Sequence, residues 1–307
     1  MNRRDVVRGF LISIGGLGVA CSVQNDGLPL TGRYLGQEPP GSTPVVFAPG
    51  VVSTRANELN AAFSPDGNEL YFSVWRAGQN TLMAIKLNDG EWTDRSVVTF
   101  SGVYSDVDPF LSADGMRLYF SSMRPLDETG EPKDSDIWYV ERLASGEWSE
   151  PKNLGTPNDQ GPDDYYTSIA NDGTLYFSKF ASHGEGGDLY LTRLRDGAYG
   201  EPEMLPAPFN TESSEHDPFI APDGSYLIFT SDRPGGYGEG DLYISFRDSD
   251  GAWSDPINMG DTINSPGYDF CAMLSPDGKY LFFTRTMNRN GDIYWVDATV
   301  IDLLRPR

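Results

Sequence analysis

A five-fold internal repeat constrains this chain more than any other feature of its sequence. Each repeat contains an acidic residue, a short apolar run, an Asp-Gly pair and a second apolar run that ends in an aromatic and a hydroxyl residue. The five pairs are Asp66-Gly67, Asp114-Gly115, Asp172-Gly173, Asp223-Gly224 and Asp277-Gly278. They follow one another at intervals of 48, 58, 51 and 54 residues. Periods of this size predict a propeller or a solenoid.

Each repeat is expected to form four short antiparallel strands. An Asp-Gly pair favours a tight hairpin between the first two strands, because Asp hydrogen-bonds its own backbone and Gly accepts a positive φ. A Gly-Glu-Trp type turn, as at Gly90-Glu91-Trp92, precedes the fourth strand. Prolines lie near that strand, and because proline lacks an amide donor, the fourth strand is predicted to be the exposed edge. The sequence therefore predicts an all-β propeller of five blades with almost no helix.

Either end of the propeller domain, placed at 44–307, can complete the ring. Pro44 to Ala48 resembles an outer strand and is predicted to pair with the last blade. Ala298 to Leu304 competes for the same edge, and the sequence alone leaves the choice open.

Residues 1–20 are predicted to be an export signal. A basic start with Arg3-Arg4 resembles a twin-arginine signal, and a short apolar segment follows. Leu17 to Cys21 resembles a bacterial lipobox, although Gly18 stands where Leu is usual. Cys21 is thus the expected lipidation site, with an ordinary cleaved signal as the alternative. Residues 21–43 are interpreted as a flexible tether, and the protein as lipid-anchored on the periplasmic side or at the cell surface.

Charge and residue counts exclude several classes of function. The formal net charge of −22 disfavours nucleic acid, whose binding depends on basic groups that neutralise phosphates. Two histidines are too few for a zinc site of several histidines or for a specific Ser-His-Asp arrangement. No cofactor is expected, and calcium is an alternative only because acidic oxygen ligands suit that ion.

The repeat also resembles a known family. Ser64-Pro65-Asp66-Gly67 and Ser275-Pro276-Asp277-Gly278, each followed by an aromatic strand and then by Asp-Ile-Tyr or a variant, resemble the WD-like repeats of TolB-type propellers over residues 44–297. TolB itself is a periplasmic protein-binding module. The family is functionally mixed, so the resemblance indicates the fold and little about activity. The export signal, the even repetition of the blades and the lack of an intact catalytic constellation favour a monomeric, non-enzymatic scaffold of the cell envelope, with a protein or a cell-wall glycan as its partner.

Five acids and five bases are predicted to meet at one face of the propeller. An acid lies eight residues before each turn Asp, at the start of the innermost strand: Glu58, Asp106, Asp164, Glu215 and Asp269. We call these the ring acids. Neighbouring carboxylates about 7 Å apart repel by about 2–3 kcal/mol at an effective dielectric constant near 20, so a neutralising group is expected. The candidate bases are Arg76, Arg124, Lys179, Arg233 and Arg285. The pairs are interpreted as ion pairs that serve the blades, or else as a binding site at the channel mouth.

Departures from the repeat are stronger pointers to function. Two residues after the ring acid, Asp108 and Asp217 share a position that Tyr166 and Cys271 occupy in two other repeats. His216 lies between Glu215 and Asp217 and is interpreted as an exposed loop residue that titrates near neutral pH. The long loops, 124–135, 180–187 and 233–240, are all predicted to lie on the ring-acid face, which makes that face the expected binding surface. Trp75, Tyr237 and Tyr268 are candidates for a stacking surface there.

A five-bladed glycoside hydrolase is the rival interpretation. Such an enzyme needs two carboxyl groups in unlike surroundings, one with a raised pKa and one ionised. The ring acids occupy similar repeat positions, which argues against them as such a pair. The Asp that opens the third strand in four repeats is expected to be structural, because a short acceptor can bind the backbone of the preceding loop.

Overall fold

Five four-stranded antiparallel sheets form the protein, arranged as the blades of a propeller. The computed structural model describes residues 30–127, 130, 132–159, 163–182 and 185–306. The innermost strands are Asn57–Phe63, Asp106–Leu111, Asp163–Ile169, Glu215–Ile220 and Tyr268–Leu274. The second strands are Glu69–Arg76, Arg117–Ser122, Leu175–Ser182, Tyr226–Ser231 and Tyr280–Met287. The third strands are Gln79–Asn88, Asp136–Glu141, Glu185–Thr192, Asp241–Phe246 and Asn290–Asp297.

The outer strands are only two residues long. They are Ser96–Val97, Lys152–Asn153, Glu203–Met204, Ile257–Asn258 and Val45–Val46. Pro151, Pro202 and Pro256 directly precede three of them. These strands are exposed or half-buried, so the prediction of an exposed, proline-flanked edge is confirmed.

An asparagine side chain extends the short outer edge in three blades. The Oδ1 atom of Asn158 accepts from the amide of Ile137 at 3.1 Å, and its Nδ2 donates to the carbonyl of the same residue at 2.9 Å. Asn210 and Asn264 bind Leu189 and Leu242 in the same two-point way. A side-chain amide thus replaces one backbone pairing partner where the strand has ended.

The second strands are apolar on both sides because neighbouring blades cover both faces of each sheet. In the first blade Leu70, Tyr71 and Phe72 are all fully buried, and Ser73 beside them is buried too. A strand covered on both faces reads as a continuous apolar run rather than as an alternating one. This explains why the Leu-Tyr-Phe-Ser type segments were the most regular part of the repeat.

The N-terminal strand completes the fifth blade, as predicted. Val45 lies opposite Trp295 and Val46 opposite Tyr294 in an antiparallel pair. Thr299–Leu304, the competing segment, is a short α-helix.

Residues 30–43 correct the predicted tether, because they pack against the propeller. Tyr34 and Leu35 are buried in the main apolar cluster, and the Tyr34 ring contacts Phe63 at 5.4 Å and Trp295 at 5.8 Å between centroids. Burying a side chain such as Leu35 stabilises the fold by about 2 kcal/mol. These contacts come from one short 3-10 turn, Arg33–Gly36, which is too short to give a periodic apolar pattern in the sequence.

The predicted signal, residues 1–20, and Cys21 lie outside the described residues. Within the described part, no helix is long and apolar enough to span a bilayer.

Candidate functional site

The strand order gives the propeller two unlike faces. The first-to-second connections, which contain the Asp-Gly turns, and the third-to-outer connections both lie on one face, which we call the turn face. The second-to-third loops and the links to the next blade lie on the other face, which we call the loop face. Each innermost strand starts at the loop face.

The ring acids are buried at the loop-face ends of the innermost strands, and each has a basic partner. Asp106 meets Arg124 at 2.7 Å, Asp164 meets Lys179 at 2.6 Å, Glu215 meets Arg233 at 3.2 Å and Asp269 meets Arg285 at 2.6 Å. The side chains of these four acids are at most 2% exposed. The four pairs proposed from the repeat spacing therefore form.

The first blade departs from that scheme. Glu58 pairs with Arg95 at 3.2 Å, and Arg76 is exposed. In blades two and four the second strand ends at a serine, and the arginine two residues later folds back; Arg124 Nε donates to Ser122 Oγ at 2.8 Å. In blade one the second strand continues through Arg76 into a two-residue hairpin, so Arg76 stays in the strand opposite Gln79 and does not fold back onto Glu58. Arg95, which precedes the outer strand, takes its place.

Hydroxyl groups complete the coordination of the ring acids. Thr54, Thr211 and Ser265 lie four residues before their acid, and each donates both a backbone amide and a hydroxyl to its carboxylate. Ser101 and Ser122 both donate to Asp106, at 2.7 and 2.6 Å. A buried carboxylate is tolerated only when it is paired and hydrogen-bonded. All five ring acids are therefore ion-paired, and hydroxyl groups bind four of them as well, whereas the partner shown for Asp164 is Lys179.

Burial still raises the pKa of several ring acids. For Asp164, burial raises the pKa to about 7, although the Lys179 ammonium opposes the shift. Burial also raises the pKa of Glu58 and of Asp269, against the hydrogen bonds and ion pairs that favour the carboxylate.

A second set of five residues lies two positions further along the same strands. Asn60, Asp108, Tyr166, Asp217 and Cys271 all have positive φ, between 50 and 56°. The register of the innermost strand shifts next to each of them. We call them the bulge residues. An L-residue in this conformation costs about 1–2 kcal/mol, so five of them in one ring is a repeated strain.

Hydroxyls of the preceding blade hold three of the bulges. The amide of Asp108 donates to Ser73 Oγ at 3.1 Å, that of Asp217 to Ser178 Oγ at 2.8 Å, and that of Asn60 to Thr284 Oγ1 at 2.9 Å. In these three blades the hydroxyl that ends the second apolar run of the repeat therefore ties its blade to the next one.

The bulge side chains converge on the centre of the ring. The Cys271 Sγ atom lies 3.4 Å from Oδ2 of Asp217 and 3.8 Å from Oδ1 of Asp108. The Tyr166 hydroxyl donates to the carbonyl of Ala272 at 2.5 Å, which joins the third blade to the fifth. The cluster is buried: Asp108 is 7% exposed and Asp217 is 6% exposed.

The electrostatics of this cluster differ from those of the ring acids. Burial, followed by the negative charge of Asp217, raises the pKa of Asp108 well above its usual range. Burial and the two carboxylates likewise raise the pKa of the Cys271 thiol, which is a free cysteine. In the described part of the chain, neither carboxylate has a Lys or Arg within 4.0 Å; Asp217 meets His216 alone.

His216 is buried, which corrects the expectation of an exposed loop histidine. It lies within the innermost strand Glu215–Ile220, and its Nδ1 is 3.1 Å from Oδ2 of Asp217. Its Nε2 is 2.5 Å from the Tyr268 hydroxyl, and the two rings are stacked 5.7 Å apart. In the neutral tautomer that lets Nε2 accept from the Tyr268 hydroxyl, the proton lies on Nδ1, the nitrogen beside Asp217. Tyr268 and His216 thus lie in a row that ends at the bulge residue Asp217.

Sequence reasoning missed one member of the site. Asn60 is 1% exposed, its Nδ2 donates to the carbonyl of Pro109 at 3.3 Å, and its Oδ1 accepts no hydrogen bond from the described residues. Its spacing from Glu58, two residues, is the signal that identifies it.

Two surfaces flank the cluster along the channel. On the turn face a cavity of about 490 Å³ is lined by Phe63, Phe110, Phe219, Met273 and the residues of the turns. The predicted binding surface, the loop face, instead exposes scattered large apolar side chains: Trp75, Val103, Met123, Leu126, Tyr237 and Met287. Of the predicted stacking residues, Trp75 and Tyr237 are exposed there, whereas Tyr268 packs on His216.

No group of three or more His, Cys, Asp or Glu side chains among the described residues is arranged to hold a metal ion.

The fold is shared with proteins of several functions. No protein-family model matches the chain, and no curated protein matches its sequence. A structure described as TolB from Agrobacterium tumefaciens is 19% identical with a TM-score of 0.51, covering 79% of this chain and 77% of that one. TolB from Acinetobacter baumannii is 17% identical with a TM-score of 0.50 over 80% of this chain, which spans 55% of the Acinetobacter protein.

A structure described as a glycoside hydrolase is 12% identical, with a TM-score of 0.56, covering 89% of this chain and 94% of that one. At these identities the similarity shows the propeller fold and not the activity.

Proposed function

We propose that this chain is an exported, non-enzymatic binding propeller, anchored to a bacterial membrane through Cys21, whose loop face binds a protein of the cell envelope. The observation that carries the proposal is the path of the N-terminal segment. The hydroxyl of Tyr34 donates to Asp277 at 2.7 Å, and the indole of Trp92 donates to the carbonyl of Gly32 at 2.7 Å. Asp277 and Trp92 both belong to turns of the turn face.

This path orients the molecule if Cys21 carries a lipid. Leu30 follows Cys21 by nine positions, and its carbonyl accepts from the amide of Trp92 at 2.8 Å. Nine residues span at most about 30 Å. The turn face would therefore be held near the membrane, and the loop face would point away from it towards a partner.

The composition of the loop face supports protein recognition. Leu126 is 68% exposed and Tyr237 is 51% exposed, and they belong to loops of two different blades. Aromatic and large apolar side chains surrounded by polar groups are the usual anchors of protein interfaces. All five ring acids are also ion-paired, which argues against them as free catalytic groups.

The test is photo-cross-linking of the full chain in intact cells, with a matched pair of surface variants. Leu126→Ser with Tyr237→Ser alters the loop face, and Met116→Ser with Leu143→Ser alters exposed apolar positions on the turn face. We expect one envelope protein to be captured by the parent and the turn-face variant, and lost from the loop-face variant. Capture that survives in the loop-face variant and is lost from the turn-face variant would overturn the proposal.

Arg124 and Arg233 are unsuitable probes for this purpose. Both are buried or nearly so against ring acids, so their removal would disturb the fold together with any interface.

One observation favours a second candidate, glycoside hydrolysis. Asp108 and Asp217 are neighbouring carboxyl groups in unlike surroundings, and the pKa of Asp108 is raised by burial and by Asp217. A protonated acid beside an ionised carboxylate is the machinery of that reaction. Release of reducing sugar from envelope glycans, abolished in both Asp108→Asn and Asp217→Asn, would establish this candidate. Absence of release by the folded parent would exclude it for the glycans tested.

A further inference from the structure

We infer that the centre of the channel is a binding site for a primary ammonium group, held between Asp108 and Asp217 with Asn60 as a third acceptor. The inference deepens the proposed function, on which it rests only where the amine is assigned to a protein partner. In the described structure the two carboxylates lack a Lys or Arg partner, and the Asn60 side-chain oxygen lacks a donor.

The two carboxylates lack a cation. Every ring acid in the described structure has a Lys or Arg partner, whereas Asp108 and Asp217 have none within 4.0 Å. Their shared side-chain contact is the neutral thiol of Cys271, which is a weak donor. Two neighbouring buried carboxyl groups without a counter-ion destabilise the fold, so their presence indicates a ligand rather than a structural role.

Asn60 supplies the independent observation. Its Oδ1 is buried and has no donor among the described residues. The orientation of this amide is fixed, because Nδ2 must face the carbonyl of Pro109, which can only accept. Pro109 directly follows Asp108, and Asn60 is the bulge residue of the neighbouring blade. The unused acceptor therefore belongs to the same ring as the two carboxylates.

The missing ligand must be a compact donor. An ammonium group carries three N–H donors and no acceptor, which matches two carboxylates and one amide oxygen. Charge-assisted hydrogen bonds of this kind are about twice as strong as neutral ones. A sugar ring is a poorer match, because the apolar cavity on the turn face is not lined by Asp108 or Asp217.

His216 and Tyr268 position one of the carboxylates. The Nδ1 atom of His216 lies 3.1 Å from Oδ2 of Asp217, and Tyr268 holds the ring through Nε2. Asp217 is thereby oriented without being neutralised by a full basic partner. Asp108 is held by the Tyr166 amide and the Cys271 thiol, both neutral donors, so the compensation of its charge is left to the ligand.

The test is titration of the purified full chain with butylammonium, followed by calorimetry and by NMR. Its matched ligand is butyltrimethylammonium, which has the same charge but no N–H donor. We expect saturable one-to-one binding of the first ligand and at least tenfold weaker binding of the second. Asp108→Asn and Asp217→Asn should each weaken binding about tenfold, the effect of losing one charge-assisted hydrogen bond.

Asn is compatible with these positions, because Asn60 already has the same positive φ in the first blade. Circular dichroism and thermal melting of both variants check that they fold. Glu212→Gln removes one exposed carboxylate from the loop face and should bind as the parent does. No saturable binding by the parent, equal binding of the trimethyl ligand, or unchanged binding in both channel variants would overturn the inference.

A second arm identifies the source of the amine. A short peptide with one lysine that binds at least tenfold more tightly than butylammonium, and loses this on lysine acetylation, assigns the site to a protein partner. Equal affinity for the peptide and butylammonium assigns it to free amines. Either result is compatible with the site, whereas failure of the cross-linking experiment alone bears only on the loop face as an interface.

Discussion

The ring acids and the bulge residues lie two positions apart on the same five strands, yet they obey opposite rules. Every ring position is acidic and paired with a base, and four of the five acids are also bonded to hydroxyls. The bulge positions share a backbone conformation but carry five different chemical environments: Asn60, Asp108, Tyr166, Asp217 and Cys271. The ring positions, which repeat both the acid and its basic partner, hold the blades together. The bulge positions repeat only the backbone conformation and vary in side chain, so they are free to acquire a function.

The largest effect is expected at the ring. Asp106→Ala leaves the Arg124 guanidinium buried without a counter-ion. It also removes the acceptor of the Ser101 and Ser122 hydroxyls. We expect the free energy of unfolding to fall by about 3–5 kcal/mol, measured by urea denaturation. Asp261→Ala, an exposed control, should change it by less than about 0.5 kcal/mol. A loss below about 1 kcal/mol at Asp106 would remove the contrast between the two sets.

The first blade provides a smaller and more specific test of the ring. Arg95→Ala should cost about 1 kcal/mol, because Glu58 loses its ion pair but keeps its bonds from Thr54, and the Arg95 side chain is 37% exposed. Arg76→Ala should be neutral within about 0.5 kcal/mol. The same denaturation assay compares them, and a larger loss at Arg76 would reverse the assignment of the partner.

The hydroxyls that hold the bulges differ in a comparable way. Ser178→Ala removes the acceptor for the amide of Asp217 and should cost about 1 kcal/mol. Thr230 Oγ1 is buried with no partner among the described residues, so Thr230→Val should be neutral or slightly stabilising. Thermal melting of the two variants tests this, and a greater loss at Thr230 would mean that its hydroxyl holds the fifth bulge.

Asp108→Asn should stabilise the protein at high pH, whereas removal of a ring acid should destabilise it. Burial and the charge of Asp217 raise the folded pKa of Asp108 above the unfolded value of about 3.9, so the native state binds the proton more tightly. The stability from this group is present below about pH 4 and is lost as the pH rises through the raised pKa. The variant should therefore melt a few degrees above the parent at pH 8 and close to it at pH 4, roughly the 2–4 °C that 1 kcal/mol produces. A parent that is more stable than the variant at pH 8 would place Asp108 among the structural acids.

The repeat made most of the fold and half of the site predictable. Residues at one repeat position occupy equivalent places in three dimensions, so the five blades, the exposed outer strands and four of the five ion pairs follow from spacing alone. Arg76 failed because blade one prolongs its second strand, a difference of loop length that spacing from the ring acid does not record. The environments of His216 and Asn60 were beyond reach, since both depend on what the other blades place opposite them. The packing of the N-terminal segment could not be predicted, because two adjacent apolar residues, Tyr34 and Leu35, are its only trace in the sequence.

The pairing of Val45–Val46 with the fifth blade joins parts of the chain about 250 residues apart. Contacts of such long range form late in folding, because the loop they close must first be ordered. Until then, the third strand of the last blade, Asn290–Asp297, is an open edge with unpaired backbone groups, the kind of template on which chains aggregate. The two-residue strand that closes the ring therefore protects this edge from intermolecular pairing. A truncation that removes it would leave the fifth blade incomplete and the protein prone to aggregation.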